Sequence, residues 1–282
     1  MQDLIINLAP TGMMPTRQQT ALVPLTPQEI IADVSKCAAH GVAMAHLHAR
    51  EADGSASSDP ALFADIIRGI RAKVPDMVII TTTSGRLEGS IEKRAATLYL
   101  EGDAKPDMAS LTLGSMNFAT SASVNSPQTI TRLAQIMLEH GIKPELEVFD
   151  TGMVNVAKIL IDKGLLQAPY YFNILLGNPG TSQANLLHLG SIVADLPPQS
   201  VWSVGGIGRF QTRANGLGVV LADGVRVGLE DNIWLDDGRT QLASNLDLVQ
   251  RVSIQAQALG RNIATRAAVR EKLGLAPVGL PL

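Results

Sequence analysis

Eight short apolar runs recur along the chain, and stretches of helical character separate them. The runs, which we interpret as strands, cover residues 3–9, 42–48, 77–83, 107–113, 144–149, 170–176, 201–204 and 224–229. Strands that alternate with helices favour parallel βα units, and eight such units favour a closed barrel over an open sheet. The pattern therefore predicts an α/β protein with a single domain over residues 1–282, folded as a (β/α)8 TIM barrel.

Helix signals between and after these runs support the same architecture. Thr26 precedes a proline and stands three residues before Glu29, the capping-box pattern that opens a helix. After the eighth run, residues 244–259 and 265–275 predict two C-terminal helices. The tail, residues 277–282, is too apolar for a solvated terminus, so we expect it to pack on a neighbouring subunit.

Two histidines in the second run carry the strongest chemical signal. His46 and His48 are separated by one leucine within an apolar segment. Because strand side chains alternate between faces, both imidazoles project the same way and can bind one metal ion. A pair of hydrogen-bonded core histidines is the alternative that this pattern leaves open. The other histidines, His40, His140 and His188, fall at helix ends or within a helix and are not expected to be ligands.

A catalytic zinc site needs a third protein ligand and one open position, and Glu230 is the best candidate. We interpret residues 224–231 as a strand with period-two alternation, which places Arg226, Gly228 and Glu230 on one face. The second and eighth strands of a closed barrel both flank the first, so their side chains can converge at the carboxyl end. A two-histidine, one-carboxylate site is therefore predicted there; it suits zinc, and iron, manganese or cobalt would also be accepted.

Further charged residues lie near these candidate ligands. Asp231 can act as a general base toward a carbon acid, and Arg226 can hold Asp231 ionised or bind a substrate carboxylate. A purely structural pair between Arg226 and a glutamate is the alternative. Glu145 and Glu147 share one face of the fifth strand. Two carboxylates directed into a barrel need a partner, which the metal site or a substrate group would provide.

Polar residues also end other strands. Thr81–Ser84 closes the third run, and Ser110 and Thr112 lie on the fourth; their hydroxyls can orient carbonyl oxygens, although threonine is also a common strand residue. The seventh strand leads into a glycine-rich loop that ends at Arg209. Loops after strands 7 and 8 are the usual phosphate site of these barrels, but glycine-rich turns are also frequent without a ligand.

Composition narrows the class of protein. Hydrophobic residues make up 46% of the 282 residues and charged residues 17%, which suits a large aliphatic core. The net charge of -3 provides no basic field, so nucleic acid is not an expected partner. No apolar run approaches the roughly 20 residues of a membrane span, and the first residues lack a leader pattern. With Cys37 as the single cysteine, we expect a cytoplasmic protein without an intrachain disulfide.

Several motifs, taken in order, resemble the β-keto acid cleavage enzymes. They are Thr11-Gly12, Ala45-His-Leu-His-Ala-Arg50, Glu145-x-Glu147, Val204-Gly-Gly-Ile-Gly-Arg209 and Arg226-Val-Gly-Leu-Glu-Asp-Asn232. The resemblance runs from residue 3 to about residue 275. It implies a zinc-dependent, homo-oligomeric barrel (tetramer or dimer) that converts a β-keto acid and acetyl-CoA into acetoacetate and a new acyl-CoA.

The same resemblance implies roles for individual residues. Zinc would be bound by His46, His48 and Glu230. Asp231 would remove the proton between ketone and carboxylate, zinc and Arg226 would stabilise the enolate, and attack on the thioester would precede a retro-Claisen cleavage. Hydroxyl and carboxylate positions of the family active site align with Thr82, Ser110 and Glu147. We expect substrate contacts from Thr11, Met14, Gly205, Gly206, Gly208 and Arg209.

One position departs from part of the family. Members that act on 3-keto-5-aminohexanoate carry an acidic residue in the loop after the first strand, where it can pair with the substrate ammonium. The aligned residue here is Met14. A desolvated ammonium without a counter-charge costs several kcal/mol, so we predict a substrate tail that is neutral or apolar.

Two other functions stay open on the sequence. A metal-dependent hydrolase barrel also uses His-x-His on a strand, but it needs further histidines at later strand ends. A non-catalytic barrel that binds a keto acid through its metal is the second alternative. Incubation with acetyl-CoA separates the three, because they predict CoA-dependent acetoacetate, turnover without CoA, and no turnover.

Overall fold

The structure, a computed structural model that describes residues 2–277, contains a closed barrel of eight parallel strands. In chain order the strands are β1 (Ile5–Leu8), β2 (Met44–Leu47), β3 (Val78–Thr81), β4 (Met108–Thr112), β5 (Lys143–Val148), β6 (Tyr170–Leu176), β7 (Ser200–Gly206) and β8 (Gly224–Val227). Strand β1 pairs with both β2 and β8, which closes the sheet. The predicted TIM-barrel fold is confirmed.

Helices connect the strands and cover the barrel. They are α1 (Pro27–Ala38), α2 (Pro60–Lys73), α3 (Ile91–Arg94), α4 (Pro127–Glu139), α5 (Thr151–Asp162), α6 (Leu186–Asp195), α7 (Gln211–Leu221), α8 (Asn245–Ala258) and α9 (Arg266–Lys272). Thr26 caps α1 with the predicted capping box. The two C-terminal helices are also confirmed. Residues 278–282 lie outside the described range, so the expected packing of the tail stays a prediction.

The barrel interior is apolar at the amino ends of the strands and polar toward their carboxyl ends. Ile5, Met44 and Tyr171 belong to a buried layer that closes the amino end. Two residues further along β1 and β2, the inward side chains are Asn7 and His46. Because side chains two positions apart share a face, the polar residues form the next layer up. The sequence therefore places its buried polar groups at the end where barrel enzymes have their active sites.

Strand β8 is shorter than predicted. It ends at Val227, and Gly228 follows with a φ of 149°, a conformation that L side chains rarely adopt. Glu230 lies in the turn beyond, so the interpretation of residues 224–231 as one alternating strand was wrong. The physical reason is a close approach: a Cβ on Gly228 would lie 2.2 Å from the Ala9 carbonyl oxygen.

Two short hairpins at the carboxyl end of the barrel were not predicted. One pairs Ala49–Arg50 with Ala56–Ser57, and the other pairs Met116–Asn117 with Ala122–Ser123. Cys37 is buried in α1, as expected for a core residue. Among the helices of residues 2–277, none combines the length and apolar character needed to cross a bilayer.

Candidate active site

A cavity of about 290 Å³ opens at the carboxyl end of the barrel. Nine of the predicted site residues line it: Met14, His46, His48, Thr82, Glu147, Gly208, Arg226, Glu230 and Asp231. The remaining candidates do not: Thr11, Ser110, Gly205, Gly206 and Arg209. The cavity therefore gathers the three predicted metal ligands and the predicted base in one place.

Three potential metal ligands converge at this cavity. The Nε2 atoms of His46 and His48 are 3.3 Å apart, and Glu230 Oε1 lies 3.3 Å from the His48 nitrogen and 4.0 Å from the His46 nitrogen. Ligand atoms of a tetrahedral zinc ion, each about 2.0–2.1 Å from the metal, lie about 3.3 Å from one another. Glu230 Oε2 is buried and accepts no hydrogen bond from residues 2–277. Distances and donor types thus fit one divalent ion.

The carboxylate of Glu145 holds His46, one of the three potential ligands, in its orientation. His46 Nδ1 donates a 2.6 Å hydrogen bond to Glu145 Oε2, while the amides of Asn7 and Asn173 donate to Oε1 at 2.7 and 3.0 Å. With its proton on Nδ1, neutral His46 presents the Nε2 lone pair to the triad. Burial favours a lower pKa for His46, but Glu145 raises it overall, which makes Nε2 a more basic ligand.

A second arrangement, His46 with Glu145 and Glu147, also brings potential ligand atoms close together. Both oxygens of Glu145 already accept hydrogen bonds, two on Oε1 and one on Oε2. Only the triad with His48 and Glu230 leaves a buried carboxylate oxygen without a partner in the described part of the chain. We therefore assign Glu145 to the support of His46.

Arg226 connects the three potential metal ligands to Asp231, the candidate base. It is buried, and its guanidinium donates to Glu230 Oε1 at 2.6 Å, to both oxygens of Asp231 at 2.8 and 3.2 Å, and to Glu147 Oε1 at 3.4 Å. Burial opposes ionisation of Glu230, but Arg226 and the two imidazoles hold its pKa well below the ordinary value. Burial raises the pKa of Asp231, which Arg226 only partly offsets. Arg226 thus keeps the carboxylate of Glu230 ionised and orients the more basic carboxylate of Asp231.

The predicted residues outside the cavity have other surroundings. The Ser110 hydroxyl accepts a 3.1 Å hydrogen bond from the Thr83 amide within the barrel wall. Thr11 is fully buried, and its hydroxyl has no partner in the described chain. A Cβ on Gly206 would lie 2.5 Å from the Phe210 carbonyl oxygen, so this glycine permits close backbone packing. Arg209 is exposed to solvent.

Several cavity residues were missed by sequence reasoning. Met13, Met116 and Phe118 give part of the cavity an apolar wall. Thr112, which the sequence pattern had singled out together with Ser110, lines the cavity as well and donates a 2.6 Å hydrogen bond to Glu147. Arg86 also lines the cavity, from an irregular loop after β3 that has no periodic pattern. Loop residues of this kind carry no signal in strand or helix periodicity.

The loop after β1 lies close against Glu230. Gly12 has a φ of 60°, and a Cβ there would lie 2.4 Å from Glu230 Cγ. Arg50, from the quoted histidine motif, donates to the carbonyl oxygens of Gly12 and Pro15 at 2.8 and 3.0 Å. The loop that carries Met14 is therefore fixed against Glu230, one of the three potential metal ligands.

The closed parallel barrel and the polar cluster at its carboxyl end define a protein of the (β/α)8-barrel enzyme class. The sequence model of the beta-keto acid cleavage enzyme family matches residues 3–275. The chain belongs to this family, as its motifs indicated.

Curated relatives agree over almost the whole length. A 3-keto-5-aminohexanoate cleavage enzyme of Fusobacterium nucleatum is 37% identical over 276 residues, which cover 98% of this chain and 99% of the relative. A 3-oxoadipate:acetyl-CoA acetyltransferase of Cupriavidus necator is 34% identical over 277 residues, which cover 97% and 95%. Among solved structures, ObcA in its apo form shares the fold with a TM-score of 0.81 at 22% identity, covering 91% of this chain and 66% of ObcA.

Proposed function

We propose that this chain cleaves a β-keto acid in an acetyl-CoA-dependent reaction, with a zinc ion held by His46, His48 and Glu230. The observation that carries the proposal is the convergence of these three ligand atoms beside the Arg226–Asp231 pair in one cavity. The printed names of relatives support the reaction type, since several name acetyl-CoA as a co-substrate. Other divalent ions would suit the same ligands.

The proposed reaction exchanges acyl groups. A bound zinc ion would act as a Lewis acid toward the keto oxygen and carboxylate of the substrate. Asp231 removes the proton from the carbon between these groups, and that carbon forms a bond to the acetyl carbon of acetyl-CoA. The acetyl C–S bond breaks and CoA leaves as a thiolate, which adds to the former ketone carbon. The bond from that carbon to the α-carbon then breaks, and Asp231 returns its proton to the α-carbon. The products are acetoacetate and a new acyl-CoA, so all atoms are accounted for.

The chain's own groups prepare this chemistry. Asp231 lines the cavity in a buried position, and its raised pKa makes it a stronger base than an exposed aspartate. Arg226 positions Asp231 through two hydrogen bonds and offsets negative charge that develops on the substrate. Thr82 and Glu147 line the cavity and can contact substrate oxygens. Ser110 would act indirectly, through the backbone after β3.

Met14 indicates which kind of substrate tail the cavity accepts. Met14 is 40% exposed and lines the cavity, as do Met13 and Met116. The thioether of Met14 offers no carboxylate to a cationic tail, in keeping with the neutral or apolar tail predicted from the sequence. A homo-oligomeric state and a cytoplasmic location complete the proposal; the family resemblance supports the first, and the single cysteine, which suits a reducing compartment, supports the second.

A panel of β-keto acids tests the proposal. Zinc-loaded protein is incubated with each acid in the presence and absence of acetyl-CoA, and acetoacetate and acyl-CoA are measured by mass spectrometry. We expect equal amounts of both products, and only with acetyl-CoA. Turnover without CoA would support a hydrolase instead, and saturable binding of keto acids without products would support a binding protein.

Gly12→Ala tests the loop against the triad. The added Cβ would lie 2.4 Å from Glu230 Cγ and displace this ligand, so kcat/KM and zinc affinity should fall roughly tenfold or more. Gly102→Ala is a matched control, because Gly102 has the same φ of 60° but nothing within 4 Å of the added Cβ. Both variants should lose about 1 kcal/mol of stability from the left-handed backbone. Equal kinetics in the two variants would contradict this role of Gly12.

A further inference from the structure

Arg86 is a charged cavity residue that the proposed chemistry does not use. It lies in the loop after β3, is half-buried and lines the same cavity as His46, Arg226 and Glu230. Arg226 donates to three carboxylates, whereas Arg86 forms no ion pair within residues 2–277. A half-buried cation without a counter-charge is unfavourable unless a ligand provides one.

Two neighbours fix the orientation of this guanidinium. Arg86 Nε donates a 2.9 Å hydrogen bond to Ser121 Oγ, and the guanidinium carbon lies 4.0 Å from the centre of the Phe118 ring. These contacts hold one edge and one face of the group. The two terminal nitrogens donate no hydrogen bond to the described chain. They form the edge that binds a carboxylate in a bidentate manner.

Arg86 shares the cavity with the proposed metal ligands and base. Burial lowers the pKa of Arg86, and the Glu230 carboxylate, which lines the same cavity, acts in the opposite direction. An arginine remains charged under these conditions. The cavity thus has a cationic group besides Arg226, together with the apolar wall of Met13, Met116 and Phe118.

We propose that Arg86 binds an anionic group at the far end of the keto acid tail, so that the preferred substrates are 3-oxo dicarboxylic acids. This inference rests on the proposed function and names its substrate class. It departs from the neutral or apolar tail predicted from Met14: both exclude a cationic tail, but here the tail is apolar along the methionines and ends in a carboxylate at Arg86. A phosphate of CoA offers the same anionic oxygens, so the experiment must separate the two sources.

The experiment compares six-carbon 3-oxo acids that end in a methyl, a carboxamide or a carboxylate. Wild type should favour the carboxylate over the methyl group by about 10-fold or more in kcat/KM, the range of a charged hydrogen-bonded pair. Arg86→Gln should reduce this ratio to near one, and Arg86→Lys should give an intermediate value. Arg213→Gln, an exposed arginine on α7, is the control and should keep the wild-type ratio.

The CoA source is tested in the same variants with acetyl-CoA and its 3′-dephospho form. If Arg86 binds the substrate tail, Arg86→Gln leaves the KM for both thioesters near the wild-type value, and an equal rise for both would overturn the proposal in favour of the CoA diphosphate. A change that depends on the 3′-phosphate would overturn the proposal, and so would a wild-type preference for the methyl-ended or carboxamide-ended acid. Should Arg86→Gln fold poorly, Ser121→Ala keeps the guanidinium but removes its anchor, and should lower the ratio by a smaller factor.

Failure of the proposed function is distinguishable from failure of this inference. If none of the acids yields acetoacetate with wild-type protein, the proposed function is wrong. Calorimetric binding of the same acids to zinc-loaded protein then still tests Arg86. Wild type should bind the dicarboxylate more tightly than the methyl-ended acid, and Arg86→Gln should lose this difference; equal affinities in wild type would refute the assignment.

Discussion

Glu230→Gln is expected to give the largest loss of function, measured as kcat/KM for acetyl-CoA-dependent cleavage. Loss of a residue that only supports a metal ligand costs up to roughly 100-fold, and loss of the ligand itself should cost well over that. An amide is a poor metal ligand, and the substitution also removes the negative charge that Arg226 contacts at 2.6 Å. Zinc affinity, measured by competition with a chelator, should fall in parallel.

Glu145→Gln is the matched control for this prediction. Glu145 has the same side chain and lies in the same barrel interior, but it supports His46 instead of binding the metal directly. Its replacement should cost about 10- to 100-fold in zinc affinity, the usual range for an outer-shell partner. If Glu145→Gln releases zinc as completely as Glu230→Gln, or if Glu230→Gln keeps wild-type affinity, the assignment of the third ligand is wrong.

Asp231→Asn is expected to reduce kcat by about 100- to 10,000-fold, the contribution of a positioned general base. The amide cannot accept the substrate proton, although it keeps the shape of the side chain. Zinc content and the KM for acetyl-CoA should change little, since Asp231 is not one of the three converging ligands.

Exchange of the α-protons provides a second readout for Asp231. Wild type with a β-keto acid in deuterated water should catalyse exchange at the carbon between ketone and carboxylate, and Asp231→Asn should not. Exchange at the wild-type rate in the variant would show that another group removes the proton. A loss of zinc in Asp231→Asn would instead indicate that this residue maintains the metal site.

The fold was accessible from the sequence because its signals are local and repeated. Each of the eight apolar runs contains a barrel strand, and Thr26 caps α1 as its pattern predicted. The third βα unit shows the limit of this approach, because its helix, Ile91–Arg94, has only four residues and two 3-10 turns follow it. Irregular connections depend on contacts between distant residues, which local patterns do not encode.

The candidate site was predicted in part for the same reason. His46 and His48 lie on one side because strand alternation fixes their direction, and their Nε2 atoms are indeed 3.3 Å apart. Glu230 also reaches the site, but from a turn, since Gly228 ends the alternation. Arg86 escaped notice because its position depends on Ser121 and Phe118, which are distant in sequence.

Anomalous diffraction at the zinc edge, on crystals of the protein loaded with zinc, tests the central claim most directly. We expect one strong peak about 2.0–2.2 Å from Nε2 of His46, Nε2 of His48 and an oxygen of Glu230, with a fourth position open to the cavity. A peak held by Glu145 and Glu147, or a fully occupied ion that leaves any of the three side chains unbound, would contradict the account.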